Sequence, residues 1–140
     1  MNIDEIKNGI VIDHVTAGKG MEIFRLLHLD ELDCPVAIIK NALSRKSGKK
    51  DIIKIDGSIP LNMELLGYVD PGVTVNLIEN GKLIEKKKLT PPEELTNVLF
   101  CKNPRCITST EQELPHVFRL TDRENMVYRC IYCETKASQN

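Results

Sequence analysis

Four cysteines constrain this chain more than any other residues: Cys101, Cys106, Cys130 and Cys133. They form two close pairs, Cys-x4-Cys and Cys-x2-Cys, with 23 residues between the pairs. Two short turns that each present two thiolates match what Zn2+ requires, four soft ligands at the corners of a tetrahedron. No histidine lies inside either pair. Four thiolates leave no open coordination position, so the expected ion is structural, one per chain. A domain of about 45 residues buries too little apolar surface to hold itself together, and metal supplies what its core lacks. Everything before about residue 93 must fold without metal. The competing readings of the four cysteines are two disulfides and a redox dithiol at Cys130 and Cys133.

The bulk numbers narrow the choice. The chain has 140 residues, 41% of them hydrophobic. No segment is apolar over the ~18 residues that a membrane-spanning helix needs, so no membrane partner is expected. The opening MNIDEIKNG lacks the charged start, apolar core and small-residue cleavage site of a secretory leader. The expected location is the cytoplasm, where paired cysteines more often bind metal or do redox chemistry than form disulfides. Formal net charge is −1, and aromatic residues make up only 4% of the chain. Neither a general nucleic-acid coat nor a stacking platform for single strands fits those values.

Hydrophobic periodicity orders the elements. GIVIDHV near the N-terminus alternates and reads as a strand. Lys19–Leu29 carries Met21, Ile23, Phe24 and Leu27 at helical spacing. PVAIIKNAL (35–43) reads as a strand, Ser44–Lys50 as a polar loop, and DIIKID (51–56) as a further strand. Residues 61–69 read as a short helix that stops before Asp70-Pro71-Gly72, a turn signal. VTVNLI (73–78) and KLIEKKKL (82–89) flank Glu79-Asn80-Gly81, and Asn-Gly is the favoured hairpin turn. The order β-α-β-β-α-β plus one strand predicts an α+β, ferredoxin-like domain, an antiparallel sheet with two helices. Pro91 and Pro92 then break the pattern. The expected domains are 1–92 and 93–140, the second a small zinc-bound β unit with strands at NVLFC (97–101), HVFRL (116–120) and NMVYRC (125–130).

Charge is uneven along the chain. Residues 40–54 hold Lys40, Arg45, Lys46, Lys49, Lys50 and Lys54 against Asp51 alone. Lys50 and Lys54 are four apart, so on a strand they share one face while Ile53 and Ile55 point to the other. Two ammonium groups converging from a sheet face suit a polyphosphate; the plain alternative is a solvated basic loop. Asp13 and His14 end the first strand with no nucleophile motif beside them, so by themselves they read as a polar strand end. Residues 101–140 balance to +1, and four thiolates around Zn2+ add a local charge of about −2. Lys102, Arg105 and Arg129 are placed to offset it. Cys34, before Pro35 in an apolar context, reads as a buried small hydrophobe.

Taken together, these residues resemble the aspartate carbamoyltransferase regulatory chain family. GIVIDHV is similar to that family's first strand, KKDIIKID to its lysine-bearing strand, and TVNLIEN to its nucleotide-site strand. NVLFCKNPRCI with YRCIYCE resembles its zinc motif in both pair spacings and in order. The resemblance runs from about Ile3 to Cys133. It implies a non-catalytic chain that dimerises with a second regulatory chain and docks on a catalytic chain through the zinc domain. Residues 1–92 would bind CTP as feedback inhibitor and ATP as the opposing effector, controlling the first committed step of pyrimidine biosynthesis. Carried over by similarity, Asp13 and Lys54 would contact the ribose hydroxyls and Lys86 the triphosphate, with His14 and Lys50 beside it. Backbone near Ile6 and from Asn76 to Ile78 would read the base, with Val11 and Leu83 lining its pocket. Ile3 and Asp4 would lie at the base end. The chain departs from the family's pattern at Gly81, where a larger residue can help enclose the base, and at Asp4, where a longer carboxylate can occur. Outside the family, the classes left open are a zinc-ribbon nucleic-acid-binding module, which the near-neutral 93–140 segment disfavours, and a small oxidoreductase.

Overall fold

A computed structural model describes residues 6–137 of the chain. It divides into two compact units at Thr90–Pro91.

Unit 1 contains β1 (Gly9–Thr16), α1 (Gly20–Leu26), β2 (Val36–Ser44), β3 (Gly48–Ile55), α2 (Met63–Val69), β4 (Thr74–Glu79) and β5 (Lys82–Lys88). The five strands form one sheet in the order β2-β3-β1-β4-β5, every pair antiparallel. The first four strands have the split βαβ order of a ferredoxin-like fold, and β5 extends it as a hairpin. Alternation along each strand sorts the residues to two faces. Ile10, Ile12, Ile53, Ile55 and Val75 are at most 3% exposed and form one core with Ile23, Leu29 and Leu66 from the helical side. Each such side chain contributes roughly 1.5–3 kcal/mol when fully buried. Cys34 is half-buried against this core.

Two buried carboxylates hold the loops of unit 1. Asp51 accepts the backbone N–H groups of Gly18 (3.1 Å), Gly20 (2.9 Å) and Asn41 (3.0 Å). Burial opposes its charge, but those donors outweigh it and hold the carboxyl below the usual range. Asp70 accepts from the Thr16 N–H and hydroxyl, both at 2.7 Å.

Unit 2 contains β6 (Glu94–Thr96), β7 (Val117–Asp122) and β8 (Val127–Cys130) in one antiparallel sheet of that order. Its buried apolar side chains are few: Leu95, Phe118 and Tyr128 are at most 2% exposed. The Tyr128 hydroxyl donates to the Pro92 carbonyl at 2.6 Å.

Several boundaries differ from the sequence expectation, and four of the differences have a visible local origin. Helix α1 ends at Leu26, because His28 adopts a left-handed φ of 55° and the chain turns into a short 3-10 segment, Leu29–Glu31. Strand β3 begins at Gly48, inside the stretch read as loop, since Leu43 and Ser44 pair with Lys49 and Gly48. NVLFC is not a strand: Asn97 has a φ of 56°, which turns the chain out of β6, and the paired segment is Glu94–Thr96 instead. Met126, also left-handed at 54°, delays β8 to Val127.

Candidate functional site

The four cysteines converge in unit 2. Their sulfurs all lie within 4.8 Å of one another. Cys101 and Cys133 Sγ are 3.6 Å apart, Cys106 and Cys130 Sγ 3.8 Å. A tetrahedron with Zn–S of ~2.3 Å has edges of about 3.8 Å, whereas a disulfide would need about 2.0 Å. The cluster therefore fits a structural zinc ion, and the disulfide reading falls.

Local hydrogen bonds make each turn. Cys106 N–H donates to the Asn103 carbonyl at 3.0 Å, and Asn103 Oδ1 accepts from Arg105 N–H at 3.0 Å. In the second turn Glu134 N–H donates to the Cys130 carbonyl at 2.8 Å, made possible by a left-handed Glu134. The Asn103 amide reaches Thr135 Oγ1 at 3.3 Å and joins the two turns. Around the sulfurs, the Thr108 hydroxyl donates to Cys106 Sγ (3.1 Å) and Thr135 Oγ1 lies 3.2 Å from Cys133 Sγ. His116 Nδ1 accepts the Cys101 backbone N–H at 3.1 Å, while its ring meets Phe100 edge-on at 5.0 Å. This histidine orients a ligand turn, a supporting role that cysteine spacing gave no means to find.

Without metal the thiols of Cys101 and Cys133 titrate far apart. Burial pushes Cys101 up to about 12. At Cys133 burial also opposes the charge, but the Thr135 and Asn103 contacts outweigh it and bring the thiol to about 6. Metal binding must therefore displace protons, and affinity falls as pH falls.

The second candidate lies on the face of the unit 1 sheet opposite the apolar core. Register aligns one row across four strands: Lys54 on β3 faces Val11 on β1, Val11 faces Asn76 on β4, and Asn76 faces Lys86 on β5. The Asn76 amide also reaches the Val11 carbonyl at 3.4 Å. A cavity of about 420 Å3 opens on this face, lined by Val11, Asp13 and Lys54, by Ile78 and Leu83, and by Ile6. Ile52 and Gly81 complete its lining. Six sequence-predicted residues thus meet in one cavity, and Asn76 and Lys86 share their row.

Lys50 joins through Asp13, its Nζ 3.0 Å from Asp13 Oδ1. Burial opposes the Asp13 charge, but Lys50 and the His14 N–H (2.6 Å to Oδ1) hold the carboxyl below its ordinary value. His14 diverges. It sits in a β-bulge with φ of 60° and lines a separate depression with Lys46, Ser47 and Lys49. Ile3 and Asp4 lie outside the described residues. Ile52 was missed by sequence reasoning, because an isoleucine in an apolar strand carries no mark of its face until the register is known. At the apolar end, Gly81 N–H donates to the Lys7 carbonyl (2.9 Å) and Asn80 N–H to Asn8 Oδ1 (3.1 Å). The hairpin turn and the segment before β1 are thereby tied together.

The cavity has hydrophobic walls, with the Asp13 carboxylate and Lys54 as its charged lining, and Lys50 reaches that carboxylate from beside it. That arrangement suits a flat apolar group joined to hydroxyls and anionic groups. Among the described residues, no helix is long and apolar enough to cross a membrane.

Comparison with known proteins agrees with both halves. Residues 1–90 match the family described as aspartate carbamoyltransferase regulatory chain, allosteric domain, and residues 93–140 match the metal binding domain of the same chain. A regulatory chain from Clostridium botulinum is 52% identical over 134 residues, covering 96% of this chain and 92% of its relative. One from Clostridium acetobutylicum is 48% identical with the same coverage. One from Bifidobacterium longum is 39% identical, covering 98% of this chain and 99% of its own. This chain belongs to the aspartate carbamoyltransferase regulatory chain family, and is regulatory rather than catalytic.

Proposed function

We propose that the open face of unit 1 binds CTP and ATP as opposing effectors, and that the chain thereby controls the first committed step of pyrimidine biosynthesis. The observation that carries this reading is the row Lys54–Val11–Asn76–Lys86 above a cavity with apolar walls and a charged lining at Asp13 and Lys54. The base lies between Val11, Ile78 and Leu83, read by backbone near Ile6 and from Asn76 to Ile78. Asp13 and Lys54 hold the ribose hydroxyls. Lys86 and Lys50 supply positive charge for the triphosphate.

Ribose and triphosphate are common to CTP and ATP, so their contacts give affinity without setting the sign of the effect. A ligand shifts an equilibrium only by binding one state better than the other. The base end supplies that difference, through the hairpin turn bonded to residues 7 and 8. Unit 2, held by its metal, docks on the catalytic chain in the cytoplasm, and two regulatory chains pair. Exposed Phe100, Ile107, Ile131 and Tyr132 each neighbour a cysteine of the cluster, and large apolar side chains of this kind anchor interfaces. The test is calorimetry with CTP and ATP. The wild-type chain is expected to bind both and Lys54→Ala to weaken both. Unchanged binding by Lys54→Ala would refute the assignment.

A further inference from the structure

Asp51 belongs to none of the ligand groups assigned above, yet it is fully buried and adjoins Lys50 on β3, the partner of Asp13. Two strands flank it, and each carries an irregularity beside it. On β1 the register passes from Ile12↔Ile53 to Val15↔Asp51, three residues against two, so Asp13 and His14 together face Ile52. On β2 it passes from Ile39↔Ile52 to Ala42↔Lys50, so Lys40 and Asn41 together face Asp51. Each bulge contains one left-handed residue, His14 (φ 60°) and Asn41 (φ 59°). A bulge re-aims side chains. Without the one on β1, residue 15 would leave the core and the outward series Val11, Asp13 would be out of step with the segment that follows.

The Asp51 carboxylate fastens the surroundings of both bulges. One oxygen accepts Asn41 N–H, and the other accepts Gly18 and Gly20 N–H where the chain leaves β1 for α1. Its sequence neighbour Lys50 faces the opposite side of the sheet and forms the 3.0 Å pair with Asp13. The lysine of the outward ion pair and the carboxylate of the inward clamp are thus adjacent residues of β3, on opposite faces by strand alternation, and both bulges lie on the strands beside them.

We infer that Asp51 is a positioning residue: from the opposite side of the sheet it holds the bulges around the Asp13–Lys50 pair, and so places Lys50 for the phosphate end of the bound nucleotide. The inference rests on the nucleotide reading of the cavity. It predicts a selective loss, in which contacts to phosphate suffer and contacts to base do not. A residue serving the fold alone would weaken every ligand together.

Calorimetry of CTP and CMP with the full zinc-loaded chain separates these. CMP keeps the base and ribose but lacks the two outer phosphates. Asp51→Asn is expected to lower the CTP-to-CMP affinity ratio about tenfold, and Ile53→Val, which trims the same core without touching the clamp, to leave the ratio unchanged. Gly20→Ala supplies a milder perturbation that keeps the carboxylate, since its added Cβ would stand 2.8 Å from Asp51 Oδ2 and push it aside. It is expected to lower the ratio in the same direction by a smaller factor, and it decides the matter if Asp51→Asn fails to fold. An unchanged ratio in the folded variants, or an equal loss of CTP and CMP, overturns the inference. Wild-type chain that binds neither nucleotide overturns the nucleotide reading, and this inference with it.

Discussion

The two units solve the same problem, how to hold a sheet of short strands, by opposite means. Unit 1 packs its strands over isoleucines, valines and leucines from two helices and pins its irregular turns with buried carboxylates. Unit 2 has three strands, a handful of buried side chains and four sulfurs at tetrahedral distances. The difference separates two kinds of stability. A core loses strength in steps as side chains are trimmed, whereas a metal-held unit is present or absent with its ion.

The largest expected effect is on unit 2. Cys106→Ser removes a ligand that is 2% exposed and hydrogen-bonded to Thr108. Structural zinc contributes on the order of 10 kcal/mol in small modules, so this variant is expected to lose its metal and all amide protection in residues 91–137. Metal analysis and hydrogen exchange read this directly, with unit 1 amides unchanged.

In unit 1 the corresponding change is Asp51→Ala, which deprives three backbone donors of their acceptor, Gly20 N–H among them in the buried interior. At about 1–3 kcal/mol for each unsatisfied group, partly relieved by water, a loss of roughly 3 kcal/mol in urea denaturation is expected, with metal content intact. Retained stability would show that the clamp contributes little.

Acid sharpens the contrast further. Asp13 and Asp51 titrate below their ordinary value of 3.8 in the folded chain. Their stabilisation is full above that unfolded value and is lost as pH falls through the lowered folded values. The metal unit fails earlier, because protons compete for the thiolates as soon as pH drops below neutrality. An acid titration followed by NMR should lose unit 2 resonances first. The reverse order would contradict the division of roles.

Smaller effects test the cavity. Lys54→Ala is expected to weaken CTP and ATP about tenfold each, near 1.4 kcal/mol. Gly81 has a φ of +77° with open space around its Cβ position, so Gly81→Ala should cost about 1 kcal/mol of unit 1 stability through backbone strain alone.

How much of this was legible in the sequence depends on the range of the forces involved. The cysteine pairs, the Asn80-Gly81 turn and the shared face of Lys50 and Lys54 are written in local spacing and were readable, whereas Val11 and Asp13 were placed at the cavity only through the family resemblance. That His14 sits in a β-bulge and lines a separate depression was not legible, because the bulge is visible only once the strand register is known. NVLFC looked like a strand, yet Asn97 takes a left-handed conformation that no apolar pattern reveals. His116 lies 15 residues from the backbone it supports. Side chains acting across such separations leave no periodic trace, and they shape both sites.

The central claim is that the metal holds only the docking unit while the nucleotide acts on a face that needs no metal. Stripping the zinc with a mercurial and a chelator, then measuring CTP affinity by calorimetry alongside hydrogen exchange, tests it in one preparation. The account predicts lost protection across residues 91–137, with protection of β1–β5 and the CTP affinity unchanged. Loss of CTP binding together with the metal, or persistent protection of the metal-free second unit, would contradict it.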